Sequence, residues 1–424
     1  MKTVAFHTLG CKVNTYDSTY MQSLFIRSGF AVVPFGESAD INVINTCTVT
    51  AVADKKSRAA IRRAAKTGKV IVCGCMAQKQ ARQVLEMEGV SAVIGTDGRG
   101  EIAQVAARLL LGEDKIDCTK ELAGCGYEPM SVSDTAGRTR GIIKIQEGCS
   151  NYCSYCIIPF VRGNPRSRAF SDIAAEAERM AAGGTKELVL TGIHIASYAD
   201  EGKNLGDVIA RLDELGVRIR LGSVEPGVLG KAFVEQIGKT KNLCPHFHIS
   251  LQSGSAAVLE RMNRRYTPDE YMAFADMLRG AFDKPAITTD IIAGFPGETD
   301  EEHDETLAFA ERMVFSRTHV FPFSAREGTA AADMHPKIPK RVAKQRAAEL
   351  IALGEKSELQ YLQSMAGREE CVLFEEPSIA YEGLMEGYAA RYFRVAADAQ
   401  KNTLQTVTLG EICDKIVLGQ ATKV

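Results

Sequence analysis

Three cysteines on one short stretch carry the most specific chemistry in this sequence. Cys149, Cys153 and Cys156 stand in the run IQEGCSNYCSYC that begins at Ile145. Thiolates at this spacing can bind three irons of a 4Fe–4S cubane and leave the fourth iron open to a small chelating ligand. An electron-transfer ferredoxin site would supply four cysteines instead. A zinc knuckle is the competing reading. Zinc asks for four tetrahedral ligands, and neither Ser150, Ser154 nor Tyr155 is a good fourth, with no histidine nearby.

A second set is dispersed along the chain. Cys11, Cys47 and Cys75 each lie just past an apolar run, in the segments starting at Val4, Val43 and Val70. Carboxyl ends of strands in a doubly wound parallel sheet share one crevice, where ligands bind. Three thiols delivered to that crevice can form a second three-cysteine site; burial of each as a small core residue is the alternative. Cys73 lies inside its strand and reads as a packing residue, and Cys118 and Cys125 have no ligand-like spacing.

These residues need particular elements to hold them. Runs at Val4–Phe6, Ile41–Ile44, Val70–Val72 and Val90–Ile94 alternate with helical patterns such as Asp17–Ser28 and Asp54–Lys66. That order is expected to give an α/β unit with a doubly wound parallel sheet over residues 1–112. A polar interval, 113–138, reads as a linker. Residues 139–365 show six strand-then-helix units, with strands near Ile142–Ile145, Leu188–Leu190, Arg218–Leu221, Phe247–Leu251, Ile287–Ile292 and His319–Phe323. Six such units imply a partial (β/α)6 barrel with its chemistry at the carboxyl ends of the strands, where the Cys149 loop falls. Other strand ends reach the same face, at Thr191-Gly192, Ser223 to Pro226, Gln252 to Gly254 and Gly294 to Gly297. A strand-terminating turn is the plain reading of any single one. From residue 366 to 424 short strands suffice for a small antiparallel β-barrel of a kind that often binds nucleic acid.

Composition narrows the class. Of 424 residues, 45% are hydrophobic and 25% charged, as in soluble globular proteins, and no run of eighteen apolar residues exists to span a membrane. The N-terminal run MKTVAFHTLGCKVN has no signal-peptide core, so the mature chain is expected to start near Met1, in the cytoplasm. Twelve cysteines in such a chain point to metal ligands or catalytic thiols rather than to disulfides. The net charge of −2 leaves any attraction for RNA to local patches. Lys55, Arg58, Arg62 and Lys66 form one stripe of a helix beside the Cys47 crevice, and Arg391, Tyr392 and Arg394 offer charge beside a π-face. Arg162, Arg166 and Arg168 are expected to add basic charge near the active face. A solvated charged surface is the alternative for each group.

The cysteine loop, with an aromatic residue before its third cysteine, resembles the signature of the radical S-adenosylmethionine (SAM) superfamily. Taken with HTLGCKVN, NTCTVT and GCMAQ in order, and with a last domain similar to the RNA-binding TRAM domain, the whole chain resembles the radical SAM methylthiotransferase family. Lys12 after the first cysteine makes it look like the MtaB type, which acts on threonylcarbamoyladenosine. The resemblance implies two 4Fe–4S clusters, one on Cys149, Cys153 and Cys156 and one on Cys11, Cys47 and Cys75. It implies two SAM molecules, one giving a methyl group to sulfur and one cleaved to a radical that activates carbon 2 of the adenine next to a tRNA anticodon. It makes Tyr155, Gly192, Glu225, Gln252 and Gly294 the candidates for contact with SAM. A tRNA anticodon stem-loop and an electron donor such as a flavodoxin or ferredoxin are the implied partners, with no membrane. Isopentenyladenosine in tRNA and an aspartate of a ribosomal protein stay open as substrates. From another class, so does a non-catalytic iron–sulfur RNA-binding or sensor protein.

Overall fold

The computed structural model describes residues 1–132 and 139–421; the end of the expected linker, 133–138, and of the expected last domain, 422–424, lie outside them. The first unit is a six-stranded sheet. Its strands are β1 (Thr3–Thr8), β2 (Ala31–Val33), β3 (Ile41–Thr46), β4 (Lys69–Gly74), β5 (Val90–Ile94) and β6 (Ile116–Asp117). They lie in the order β2-β1-β3-β4-β5-β6, and every pairing is parallel. Alternate side chains feed two cores, as a two-residue side-chain period requires. Val43 and Ile71 pack beneath helix α1 (Lys12–Arg27), while Ile44, Val70 and Val72 pack against α2 (Ala51–Ala64) and α3 (Cys75–Lys79). The sheet is therefore doubly wound, and its order reverses at β1 and β3, where such sheets form their crevice. Two strands escape sequence reading. β2 is a partly exposed edge of three residues, and β6 adds two residues of the expected linker to the opposite edge.

The second unit holds six parallel strands: β7 (Arg140–Glu147), β8 (Glu187–Gly192), β9 (Arg218–Leu221), β10 (His246–His248), β11 (Ala286–Ala293) and β12 (Arg317–Pro322). β9-β8-β7 and β10-β11-β12 form two runs, stitched by single bridges at Ile219–Leu243 and Val224–Ile249. Ile143 and Ile145, with Leu188 and Leu190, face outward into the helix-covered core. Their alternate neighbours, among them Lys144 and Val189, line the lumen, as the two-residue period dictates. The last three residues expected of the fourth strand, Ile249 to Leu251, are irregular, for past His248 only the bridges at Ile249 and Gln252 continue it. The first unit covers the open side of this arc. Lys144 Nζ of β7 meets Asp17 Oδ1 of α1 at 2.7 Å, and at the other edge Arg326 after β12 pairs with Asp54 of α2.

The third unit is a closed barrel of β13 (Glu369–Pro377), β14 (Met385–Ala389), β15 (Arg394–Ala397), β16 (Thr403–Cys413) and β17 (Ile416–Ala421). Four of its pairings are antiparallel, and β15 with β17 is parallel. The long helix Lys340–Met365 leads into it and lends Leu362 and Met365 to its core. This small barrel is docked on the larger one. The buried Glu187 carboxylate of β8 accepts from Arg220 Nε at 2.9 Å and from Arg218, and these arginines also donate to carbonyls of Cys371, Ala389 and Ala390. Burial alone would raise the Glu187 pKa; Arg220 and Arg218 hold it well below the usual carboxylate range instead.

Candidate active site: two cysteine sets across a buried ion network

Each of the dispersed cysteines, Cys11, Cys47 and Cys75, sits at or just past the end of its strand. The register pairs Thr8 with Asn45 and Thr46 with Gly74, so β1, β3 and β4 finish at one level, three residues before Cys11 and directly before Cys47 and Cys75. Asn14 ties these ends together: its side-chain amide donates to the carbonyls of Leu9 (2.7 Å) and Thr46 (3.0 Å). Cys11 is the N-cap of α1, and its sulfur makes no capping hydrogen bond. It is exposed, while Cys47 and Cys75 are buried. The three share one neighbourhood. Burial, with the charges of Cys75 and Cys11, pushes the Cys47 thiol up to about 11. Burial also raises the Cys75 thiol, against the pull of Arg162. Cys73 points into the core, 4.0 Å from Met21 Sδ.

The loop of Cys149, Cys153 and Cys156 is held by a different device. Gly148 starts the loop at φ +75°, and a Cβ there would stand 2.0 Å from the carbonyl oxygen of Asn164, so no other residue fits. Ser154 N–H donates to the Met262 carbonyl (3.0 Å), the Ser154 carbonyl accepts from Ala331 N–H (2.7 Å), and Asn263 Nδ2 donates to the Tyr152 carbonyl (2.9 Å). Burial, then the neighbouring charges of Cys153 and Cys149, pushes the Cys156 thiol up to about 12. Arg264 Nη1 donates to Cys153 Sγ at 3.2 Å, and Asn151 N–H lies 3.5 Å from Cys149 Sγ. Burial raises the Cys149 thiol as it does that of Cys156, so these two keep their protons near neutrality, and iron must displace them to bind.

The residues fit a cluster with SAM. Among the described residues no protein side chain stands as a fourth ligand to the Cys149 set, and donors point at its sulfurs. Among the described residues no three His, Cys, Asp or Glu side chains close around a single ion. A cubane instead spreads its thiolates over separate irons. Beside the loop stands a polar cradle. Asn151 Nδ2 donates to Glu225 Oε2 at 2.8 Å, while His194 Nε2 and Arg264 Nη2 each lie 3.4 Å from the same carboxylate without a hydrogen bond. Buried, unsatisfied groups of this kind mark a place for a polar ligand. Burial lowers the His194 pKa despite Glu225, so the ring is neutral.

The SAM candidates divide between this cradle and packing. Glu225 is at its centre, Gly192 ends β8 two residues before His194, and Gln252 is half-buried, its backbone bonded to Asp290 and Ile292 of β11. Tyr155 instead packs with Val258, Met262 and Phe295. At Gly294 a side chain would collide with Ala343 of the long helix, so its smallness serves the helix. Sequence reading missed His194, Arg264 and Asn151, whose signal is three-dimensional: polar side chains converging on one carboxylate.

Between the sets lies a buried network of charge. Lys144 bonds Glu147 at 2.8 Å; Arg162 Nη1 bonds Glu147 at 2.9 Å and reaches Asp17 at 3.4 Å; Arg99 meets both carboxylates and Glu128. Arg162 also donates to the Asn14 side chain and, through Nε, to Cys75 Sγ at 3.3 Å. Arg162 ends the short helix Ile158–Arg162 that follows Cys156, and Ile157 and Val161 pack on Cys75. The expectation of surface charge at Arg162, Arg166 and Arg168 is overturned. All three are buried, Arg166 against Asp97 and Arg168 against Glu176. The reason is that each finds a carboxylate partner in the fold, Arg162 in Asp17 and Arg166 in Asp97, both far away in sequence, and Arg168 in Glu176 on the following helix, and composition reveals none of these.

The other basic candidates lie elsewhere. Lys55 and Arg62 stand exposed on α2 and Lys66 in the turn that follows it, since the helix ends at Ala64 rather than at Lys66, while Arg58 is half-buried and donates to Gln80 Oε1 at 3.0 Å. Arg391 pairs with Glu370 and donates to the carbonyls of Asp283 and Lys284 on the larger barrel. Arg394 pairs with Glu386, and Tyr392 is stacked between His246 and Tyr388. The donors of Arg391 and the ring faces of Tyr392 thus serve the junction between the two barrels.

Residues 143–310 match the family model described as the Radical SAM superfamily, and residues 3–95 match an uncharacterized protein family, UPF0004. The chain is 38% identical over 406 residues to the threonylcarbamoyladenosine tRNA methylthiotransferase MtaB of Bacillus subtilis (strain 168), spanning 93% of this chain and 90% of that protein. The chain belongs to the radical SAM methylthiotransferase family. This methylthiotransferase is also 35% identical to MtaB of Aquifex aeolicus, across 91% of its own length and 97% of the relative's. It is equally 35% identical to a tRNA-2-methylthio-N(6)-dimethylallyladenosine synthase of Syntrophomonas wolfei, over 88% and 86% of the two chains. In fold it resembles the radical SAM methyltransferase TsrM from Kitasatospora setae, with a TM-score of 0.57 and 14% identity over 83% of this chain and 85% of that one. Membership makes it a transferase whose chemistry runs on SAM and a 4Fe–4S cluster. Among the described residues no helix is long and apolar enough to cross a membrane.

Proposed function

We propose that this methylthiotransferase adds a methylthio group to carbon 2 of threonylcarbamoyladenosine beside the anticodon of tRNA. It would use two 4Fe–4S clusters and two SAM molecules, one as methyl donor and one as radical source. The observation that carries the reading is the apposition of the two cysteine sets, since the chain leaving Cys156 packs on Cys75 through Ile157 and Val161 and bonds its sulfur through Arg162. When bound, the cluster on Cys149, Cys153 and Cys156 with SAM supplies a hydrogen-abstracting radical, and the cluster on Cys11, Cys47 and Cys75 supplies sulfur.

The chain's own residues bind and orient. Glu225, with the neutral His194 and with Arg264, presents one carboxylate and two donors to the amino and carboxyl groups of SAM, and Gly192 and Gln252 border that cradle. Lys144, Glu147 and Arg162 exclude water between the sets, because every one of them is buried. The exposed cations Lys55 and Arg62 lie on the helix that follows Cys47, and Lys66 in the turn at its end, where an RNA backbone would be held. The cytoplasm, with a flavodoxin or ferredoxin as reductant, is the setting this reading requires.

The test is anaerobic reconstitution with iron, sulfide, dithionite and SAM, followed by incubation with anticodon stem-loops bearing threonylcarbamoyladenosine or isopentenyladenosine. The expected outcome is a methylthio product from the first substrate. Product from the isopentenyl stem-loop alone would move the substrate to the second group of relatives.

A further inference from the structure

A cavity of about 600 Å³ opens inside the barrel arc, below the strand ends, and the small C-terminal barrel closes it. Its lining includes inner residues of β10, β11 and β12, namely His246, His248, Thr288, Arg317 and His319, together with Tyr392 of the small barrel and Lys12 of α1. Volumes of several hundred cubic ångströms suit a nucleoside-sized ligand.

The cations of this lining are of two kinds. Arg391 pairs with Glu370, Arg394 with Glu386, and Lys415 with Glu355 and Glu358. Lys12 and Arg317 have no carboxylate partner among the described residues. Lys12 extends over the Tyr392 ring, with Nζ 5.7 Å from its centroid, and Arg317 opens β12 on the facing wall. The lining's own carboxylates are Glu358, engaged by Lys415, and Asp414. Two uncommitted cations, both solvent-exposed, thus border a polar, aromatic-walled space, one of them adjacent in sequence to Cys11.

We propose that Lys12 and Arg317 bind the carboxylate of the threonylcarbamoyl group and so select an acidic adenosine. This rests on the reading above, in which carbon 2 of the base is presented to the cysteine sets. The N6 substituent leaves the purine ring on a different edge from carbon 2. A base with carbon 2 at the strand ends can therefore lay that substituent into the cavity beneath them. A backbone phosphate is the other anion of the same substrate, but phosphates run along the outside of a flipped nucleotide, and Arg317 faces the cavity from an inner position of β12 beside His319.

The experiment compares reconstituted wild-type enzyme with Lys12→Gln, Arg317→Gln and Lys12→Arg. Two stem-loops serve as substrates, one with threonylcarbamoyladenosine and one with the neutral threoninamide form of the same base. The quantity read is the ratio of kcat/KM for acid over amide. In wild type the acid is favoured; in either Gln variant the ratio falls roughly 10- to 100-fold, the size of a charge-assisted hydrogen bond, and Lys12→Arg retains it. An unchanged ratio, with both substrates declining together, overturns the inference and assigns the cations to the RNA backbone or to stability. If wild type modifies neither stem-loop, it is the substrate reading that has failed, not the assignment of the carboxylate site.

Discussion

Replacing Cys11, Cys47 and Cys75 together by Ala is expected to separate the two halves of the reaction. Iron falls from about eight to about four atoms per chain, 5′-deoxyadenosine still forms from SAM under dithionite, and methylthio product disappears. The reason is spatial. The three cysteines belong to the doubly wound sheet, whereas the Cys149 loop is anchored on the other unit, by Gly148 and by the backbone partners Met262 and Ala331. Losing the first set leaves those anchors intact. The converse variant, with Cys149, Cys153 and Cys156 as Ala, is expected to lose SAM cleavage while keeping about four irons. Iron content that did not change in the first variant would show that Cys11, Cys47 and Cys75 hold no cluster.

The second large effect is expected at Arg162. Truncation to Ala removes donors from Cys75, Asn14, Glu147 and Asp17 at once. Breaking a buried ion pair from one side costs about 3–5 kcal/mol, because the partner charge is left in a medium that cannot solvate it. Urea unfolding should show a loss of that order at pH 7. The pH dependence has a definite sign. Burial would raise the Glu147 pKa, yet Arg162, Lys144 and Arg99 hold it below its ordinary value of 4.5. A depressed carboxyl contributes stability that is present above the unfolded value and is lost as pH falls through the folded one. The gap between wild type and Arg162→Ala should therefore be widest near neutrality and narrow below about pH 4.5, measured on the same unfolding transition. A gap that widened in acid would contradict the assigned role of Glu147. Arg162→Lys keeps the charge but not the planar fork, so it should recover part of the stability and not the contact with Cys75.

What could be read from the sequence follows from the range of the interactions involved. The order of strands and helices was legible because hydrophobic periodicity is local, and so was the position of Cys11, Cys47 and Cys75 past three strands. Register then brings those ends to one level, through Thr8 with Asn45 and Thr46 with Gly74. Ile116–Asp117 was not legible, since two residues on an edge carry no period. The arginines after Cys156 were misread for a different reason. Charged side chains are exposed by default, and only the fold reveals that Asp17, 145 positions away, is waiting for Arg162. His194, Glu225 and Arg264 converge from three separate loops in the same way. Arg391 and Tyr392 looked like an RNA-facing pair, yet the docking of one barrel on the other engages both.

The most direct test of the central claim, that the two apposed cysteine sets act together on a modified adenosine of tRNA, is a nucleoside analysis. Bulk tRNA from a strain lacking the gene is digested and compared by mass spectrometry with the parent. The expected result is loss of 2-methylthio-threonylcarbamoyladenosine with accumulation of threonylcarbamoyladenosine, restored by the wild-type gene and not by the version with Cys11, Cys47 and Cys75 as Ala. An unchanged level of the 2-methylthio nucleoside in the deletion strain would contradict it.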